Sequence, residues 1–402
     1  MRFFKDDDFQ FGLEIVLGAA YHRAADVGEA LATAGRIKEG DSGAWVREWL
    51  ATADRCQAAA REAEQAGHRV SAVACYRRAA TYYATALQRF AYAAGDAPER
   101  ELEIWRRQRA CWDKVVDLQA VPGERVAIRY ADTTLPGYFF RAPDAAAGER
   151  RPLVVLNNGS DGATSQMWVE GGAAAAERGY HWMTFDGPGQ QAAFYEQHIP
   201  FRRDWEAVLT PVLDAMLARP DVDSGRVAVI GVSQAGYWVP RALAYEHRPA
   251  AAVADPGVTD VLASWTRPLP QLMRNQLREG KQAAFDREMH LAERLSPGTA
   301  ATLAFRGRPF GLDGTSRFDL YRAVETYRLD GEEKQITTPL LITDPEGEQF
   351  WPGQSRELYD RLPGPKELVS FTAAEGAGRH CEPMARSLRD TRIFDWLEGY
   401  LR

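Results

Sequence analysis

The chain has 402 residues, a formal net charge of −7 and an isoelectric point near 5.7. Hydrophobic residues make up 45% of it and charged residues 26%, the balance of a soluble globular protein whose length exceeds one ordinary core. The acidic charge argues against nucleic acid or a membrane as the main partner, and no stretch approaches the roughly 18 apolar residues of a membrane span.

The N-terminal segment and the cysteines predict a cytoplasmic location. "MRFFKDDDFQ" carries acids where a signal peptide carries basic residues. Cys56, Cys75, Cys111 and Cys381 show neither CxxC nor zinc-finger spacing, so we expect reduced thiols. No feature of the sequence predicts a cofactor, and we expect a small-molecule substrate.

Residues 1–122 are predicted to form a helical domain. In the segment that begins "GAWVREWL", large apolar residues recur three or four positions apart, and "AGH" at Ala66–His68 separates two helices. A helical-repeat array is the alternative interpretation, but no similar segment recurs along the chain. The apolar, Tyr-rich face of these helices suggests a homodimer.

Residues 123–257 and 333–402 are predicted to form the two parts of one α/β core. "ERVAIRYADTTLPGYFF" alternates with period two and predicts a hairpin with its turn at Thr133–Gly137. Apolar strands then alternate with helices, which predicts a mostly parallel sheet covered on both faces. Residues 258–332 are mostly helical in pattern, so we expect a cap inserted over the carboxyl edge of the sheet.

Ser233 lies in "GVSQAG", between the buried strand "RVAVIGV" and an amphipathic helix. A serine on so tight a turn needs small residues two positions away on either side, and Gly231 and Ala235 satisfy this. The usual motif is G-x-S-x-G, from which Ala235 is a mild departure. The context predicts a nucleophilic serine, with a plain strand-to-helix turn as the alternative.

A serine hydroxyl needs a base within hydrogen-bonding reach, and three histidines follow Ser233 along the chain. His247 is expected to end the helix after the serine and His290 to lie on a cap helix, so both are predicted to be surface residues. His380 lies in the Gly-rich loop "EGAGRHCEPM" before the last helix and is the predicted base.

An acid that orients the base is expected in the loop "TDPEGEQFWPG" after the preceding strand. Glu348, four residues before Pro352, is preferred, and Asp344 is the runner-up. The three acids of this loop, with Glu346, alternatively form a solvated loop or a cation site. Further oxygen or nitrogen ligands are not evident nearby, so no metal is predicted.

Two backbone N–H groups are predicted to stabilise a developing oxyanion. One belongs to Gln234, at the start of the helix, and the other to Ser160 in "NNGSDG", with Gly159 as the runner-up. "GSDG" is alternatively a plain turn.

Large aromatic residues near these motifs are candidates for a substrate pocket, with core packing as an equally weighted alternative. They are Tyr237, Trp238, Trp168, Trp265 and Phe350. Asp255, after the strand that follows the serine helix, is a candidate additional acid.

These motifs together resemble a group of α/β-hydrolases that shorten polyketide chains. The resemblance rests on "NNGSDG", "FDGPGQ", "GVSQAGYWVPRA", "DPEGEQFWPGQ" and "AEGAGRHCEPMARSLRDTRIFDWL", and it extends to the N-terminal helices. The group includes the fungal hydrolase of a heptaketide pigment precursor and, more distantly, dihydroxypseudooxynicotine hydrolase. The resemblance implies an α/β-hydrolase fold with a helical N-terminal region, a helical cap and a Ser–His–acid triad. Many relatives have aspartate where this chain has Glu348.

Three functions remain open at this point. The first is hydrolysis of a carbon–carbon bond beside a ketone in a β-diketone or polyketide-like substrate. The second is hydrolysis of a bulky ester or thioester, and the third, of another class, is a catalytically inactive binding scaffold. A carbanion leaves only where an adjacent carbonyl holds its charge as an enolate. A 1,3-dicarbonyl is therefore the natural substrate for hydrolysis of a carbon–carbon bond.

Overall fold

The computed structural model describes residues 2–94, 97–312 and 314–402. Helices precede the first strand, and three of them begin at an aspartate, Asp6, Asp26 or Asp41, whose side chain accepts hydrogen bonds from the first turn. Their bounds are α1 (Asp7–Ala19), α2 (Val27–Ala34), α3 (Ser42–Gln65), α4 (Arg69–Leu87), α5 (Phe90–Ala94) and α6 (Pro98–Leu118). The predicted break at Ala66–His68 is confirmed, since it separates α3 from α4.

Eight strands form one sheet in the order β1-β2-β4-β3-β5-β6-β7-β8. They are β1 (Glu124–Tyr130), β2 (Thr133–Phe140), β3 (Arg151–Asn157), β4 (His181–Phe185), β5 (Val222–Val232), β6 (Ala251–Asp255), β7 (Leu340–Pro345) and β8 (Lys366–Phe371). The β1–β2 and β2–β4 pairs are antiparallel and the other pairs parallel. The predicted hairpin exists, but the expected turn at Thr133–Gly137 is wrong. The chain turns at Ala131, whose φ is +46°, directly after β1. Residues Thr133–Gly137 are already part of β2 and pair with β1, so the turn comes earlier than the sequence pattern predicted.

The remaining helices cover the sheet and form the insertion. Those of the core are α7 (Gly172–Glu177), α8 (Gln191–Tyr195), α9 (Glu206–Leu217) and α10 (Ala235–Leu243). Those between β6 and β7 are α11 (Ala263–Thr266), α12 (Gln271–Arg278), α13 (Gln282–Leu295), α14 (Pro297–Gly307) and α15 (Arg317–Glu325). Helices α16 (Gln354–Arg361) and α17 (Arg386–Leu401) follow. In the described part of the chain, no helix is both long and apolar enough to cross a lipid bilayer.

Successive residues of the parallel strands bury their side chains in two different cores. In β3, Val154 and Leu156 pack with the N-terminal helices and α17, whereas Leu153 and Val155 pack with α9, α10 and the cap. The tyrosines of α4, among them Tyr82, are buried in the first core. The face that suggested a homodimer is therefore covered within one chain, and homodimerisation stays a prediction.

Candidate active site

Ser233 lies on a tight turn between the end of β5 and the start of α10. Its φ is +58°, in the left-handed region, and its N–H donates to the backbone oxygen of Asp255 at 2.6 Å. A Cβ on Gly231 would lie 2.4 Å from the carbonyl oxygen of Ala235, and one on Gly236 would lie 1.8 Å from that of Pro256. The steric demand thus falls on Gly231 and Gly236, which explains why an alanine is accommodated at position 235.

His380 connects this serine to Glu348. The Nε2 atom of His380 lies 2.9 Å from Ser233 Oγ, and its Nδ1 atom lies 2.8 Å from Glu348 Oε2. The other carboxylate oxygen of Glu348 accepts the N–H groups of Phe350 at 2.8 Å and Trp351 at 3.1 Å. These bonds hold the carboxylate in one orientation, so the imidazole presents Nε2 to the serine hydroxyl.

Burial and charge have opposite effects on the pKa values of this pair. Burial raises the pKa of Glu348, but the neighbouring imidazole and the backbone N–H donors outweigh it, and the net pKa is lowered. Burial lowers the pKa of His380, but the Glu348 carboxylate outweighs it, and the net pKa is raised. The environment therefore favours a carboxylate that stabilises positive charge on the imidazole.

The other candidate acids lie elsewhere. Asp344 pairs with Arg356 at 2.7 Å, and Glu346 accepts the backbone N–H of Ala373 at 2.7 Å. Asp255 is fully buried and pairs with Arg389 at 2.6 Å, so its side chain supports the fold behind the serine. In the described residues, no cluster of three or more His, Cys, Asp or Glu side chains is arranged to hold a metal ion.

The loop after β3 runs directly against the serine. A Cβ on Gly159 would lie 2.8 Å from the Cβ of Ser233, so only glycine permits this approach. The N–H of Gly159 donates to the Asn158 side chain at 2.8 Å. The N–H groups of Ser160 and Gln234 donate to no acceptor among the described residues. Both N–H groups are therefore available to a substrate oxygen.

The side chain of Gln190 holds this loop in place, a role that the sequence did not reveal. Its Nε2 donates to the carbonyl oxygens of Asn158 and Gly159, both at 2.7 Å, and its Oε1 accepts the N–H of Gly187 at 2.8 Å. Gln190 is the last residue of the motif "FDGPGQ", and that resemblance implied no role for its side chain. A glutamine directly after a turn carries no distinctive signal.

Ser233 and His380 open into a cavity of about 420 Å³ enclosed by three parts of the chain. The N-terminal helices contribute Phe11 and Tyr92, and the cap contributes Phe305 and Phe310. None of these residues belongs to a motif, so sequence patterns had not indicated them.

Two of the five predicted pocket aromatics line the cavity, Trp265 and Phe350. The other three are corrected to core residues. Trp238 stacks on Trp205 with ring centroids 4.3 Å apart. Tyr237 is buried in the same core, and its hydroxyl donates to the backbone oxygen of Arg203 at 3.0 Å. Trp168 donates from its indole to the backbone oxygen of His22 at 2.9 Å. All three lie near the motifs in sequence but on sides of their elements that face away from the cavity.

Comparison with known proteins places the chain among hydrolases. The hydrolase acrC of Aspergillus aculeatus is 36% identical over 259 residues, which span 60% of each chain. The 20-hydroxy-prefusarin hydrolase of Gibberella moniliformis is 29% identical over 413 residues, covering 99% of this chain and 97% of that one.

A solved structure agrees in fold over nearly the whole chain. The crystal structure of 2,6-dihydroxy-pseudo-oxynicotine hydrolase superposes with a TM-score of 0.72 and 19% identity, covering 96% of this chain and 95% of that one. No protein-family model matches the sequence. The predicted fold is confirmed by this superposition and by the sheet, and the predicted relationship by the named relatives. The chain is therefore a hydrolase with the α/β-hydrolase fold.

Proposed function

We propose that this enzyme hydrolyses a carbon–carbon bond next to a ketone in a β-diketone or polyketide-like substrate. The observation that carries the proposal is the continuous hydrogen-bonded series from Ser233 Oγ through His380 to Glu348, opening into an aromatic-walled cavity. A similar protein is named for hydrolysis of 20-hydroxy-prefusarin, which supports a substrate of this kind.

In the proposed reaction, His380 Nε2 takes the proton of Ser233 while Oγ attacks one carbonyl carbon of the substrate. The N–H groups of Gln234 and Ser160 donate to the resulting oxyanion. The carbon–carbon bond then breaks, its electron pair is held as an enolate by the second carbonyl, and the imidazolium protonates the enolate carbon. His380 next deprotonates a water that attacks the acyl-enzyme, and Ser233 regains its proton as the acid leaves. Glu348 stabilises the imidazolium in both steps.

The test is intact-protein mass spectrometry after mixing with 1-phenylbutane-1,3-dione or with an aryl ester, combined with product analysis. An acyl adduct on the wild-type protein and a shortened ketone product are expected, both absent in Ser233→Ala and retained in Ser387→Ala, an exposed serine. Turnover of the ester alone would assign an esterase instead. Failure of Ser233 to react with a fluorophosphonate would indicate an inactive binding scaffold.

A further inference from the structure

Among the described residues, one arginine of the cavity wall has no carboxylate in direct contact. Three arginines line the cavity: Arg89, Arg306 and Arg386. Arg386 pairs with Glu170 at 2.6 Å, and Arg89 lies 3.4 Å from each of two aspartates. Among the described residues, no carboxylate lies within 4.0 Å of Arg306.

Arg306 is held in place by neutral groups of the cap. It lies near the end of α14, and its Nη2 donates to Ser264 Oγ at 2.7 Å. Its guanidinium lies 4.5 Å from the ring centre of Trp265, which also lines the cavity. Burial lowers the pKa of Arg306, as expected for a cation without a counter-ion. These contacts orient the guanidinium without pairing it directly to a carboxylate.

On the basis of the proposed function, we propose that Arg306 binds an anionic oxygen of the substrate, a carboxylate or the enolate of a 1,3-dicarbonyl, and so selects acidic substrates. A guanidinium donates through planar N–H groups that match two oxygens of such an anion. The ring of Trp265 beside it offers a face for an aromatic or conjugated substrate to stack on.

Asp161 is the residue that opposes this binding. It lines the same cavity on the loop after β3 and lies within electrostatic reach of both Arg306 and His380. Its side chain accepts a hydrogen bond from Ser160 Oγ at 3.3 Å. Desolvation by the surrounding protein raises the pKa of Asp161 above its usual range, although the side chain is exposed, and its hydrogen bond, Arg306 and His380 act in the opposite direction. A neutral asparagine there would remove the competing negative charge from the cavity.

The experiment compares kcat/KM for the p-nitrophenyl monoester of glutaric acid with that for p-nitrophenyl valerate, an uncharged ester of equal chain length. We expect the ratio of the two values to fall about tenfold in Arg306→Gln, as one charge-assisted hydrogen bond implies, and to rise in Asp161→Asn. The ratio is expected to stay unchanged in Arg287→Gln, an exposed cap arginine.

Binding to Ser233→Ala separates the two sources of charge. One arm compares 2-naphthoate with 2-naphthamide, and the other measures 1-phenylbutane-1,3-dione below and above the pH at which it ionises. Weaker binding of either anion to the double variant Ser233→Ala/Arg306→Gln than to Ser233→Ala supports the proposal. An equal ester ratio in wild type and Arg306→Gln, with anion binding unchanged, would overturn it while the proposed hydrolysis stands. Absence of Ser233 acylation by both the diketone and the esters would instead reject the proposed function.

Discussion

Replacing Glu348 by glutamine tests the acid of the proposed triad with almost no change in shape. The carbonyl oxygen of glutamine can still accept the N–H groups of Phe350 and Trp351, which lie 2.8 and 3.1 Å from Glu348 Oε1. The amide nitrogen then faces Nδ1 of His380 across the present 2.8 Å contact. Because that nitrogen donates, Nδ1 must accept, and the ring proton moves to Nε2. The imidazole then donates to Ser233 and no longer accepts its proton.

The magnitude follows from the burial of the pair, since His380 is only 5% exposed and Glu348 only 8%. Removing one partner of a buried charge pair costs about 3–5 kcal/mol. In Glu348→Gln this cost raises the activation free energy, because the imidazolium of His380 forms without its carboxylate. At about 1.4 kcal/mol per factor of ten, kcat/KM is expected to fall roughly 10²- to 10⁴-fold.

The assay is kcat/KM against pH with a p-nitrophenyl ester, for wild type, Glu348→Gln and Asp344→Asn. Neutral His380 is the active form, so activity rises as pH passes through its pKa. Glu348 raises that pKa, so residual activity in Glu348→Gln should rise at lower pH than in wild type. Asp344→Asn should retain activity within about threefold, because Asp344 pairs with Arg356. An equal or larger loss in Asp344→Asn, with little loss in Glu348→Gln, would refute the assignment of the acid.

Three further predictions concern the surroundings of the serine. Gly236→Ala should lower the free energy of unfolding by about 1–3 kcal/mol or more, because the added methyl group would overlap a carbonyl oxygen. Gly298→Ala is the control and should leave it unchanged, since the nearest atom to its methyl group would lie 3.8 Å away. Urea denaturation measures both variants. Burial raises the pKa of Glu382 well above 4.5, so wild-type stability should fall as pH rises above that value. The stability gain of Glu382→Gln over wild type should therefore be larger at pH 8 than at pH 5, and a gain that shrinks with pH would contradict this. Phe350→Ala should lower kcat/KM several-fold, because the centre of this ring lies 4.7 Å from that of the proposed base, His380. Trp238→Phe, in the core, should lower the melting temperature and leave KM unchanged.

Local patterns predicted the fold and the candidate side chains of the site. Alternating strands and helices predict a parallel sheet, and strands of such a sheet end at the same edge, so Ser233 and His380 had to approach each other. The preference for Glu348 over Asp344 rested on spacing to a proline. In the structure the loop turns Glu348 towards His380, while Asp344, still within β7, pairs with Arg356, and the role of Glu348 as the acid stays a prediction.

The cavity wall depended on packing between segments that are far apart in the chain. Phe11, Tyr92 and Arg306 reach it because α1, α5 and α14 meet over the sheet edge, and no spacing rule connects these helices. Trp238 was predicted to line the pocket because it lies five residues after Ser233, but it lies on the side of α10 that faces the core. Hydrophobic periodicity shows that an aromatic side chain is buried, but the surface that buries it follows from the arrangement of whole elements.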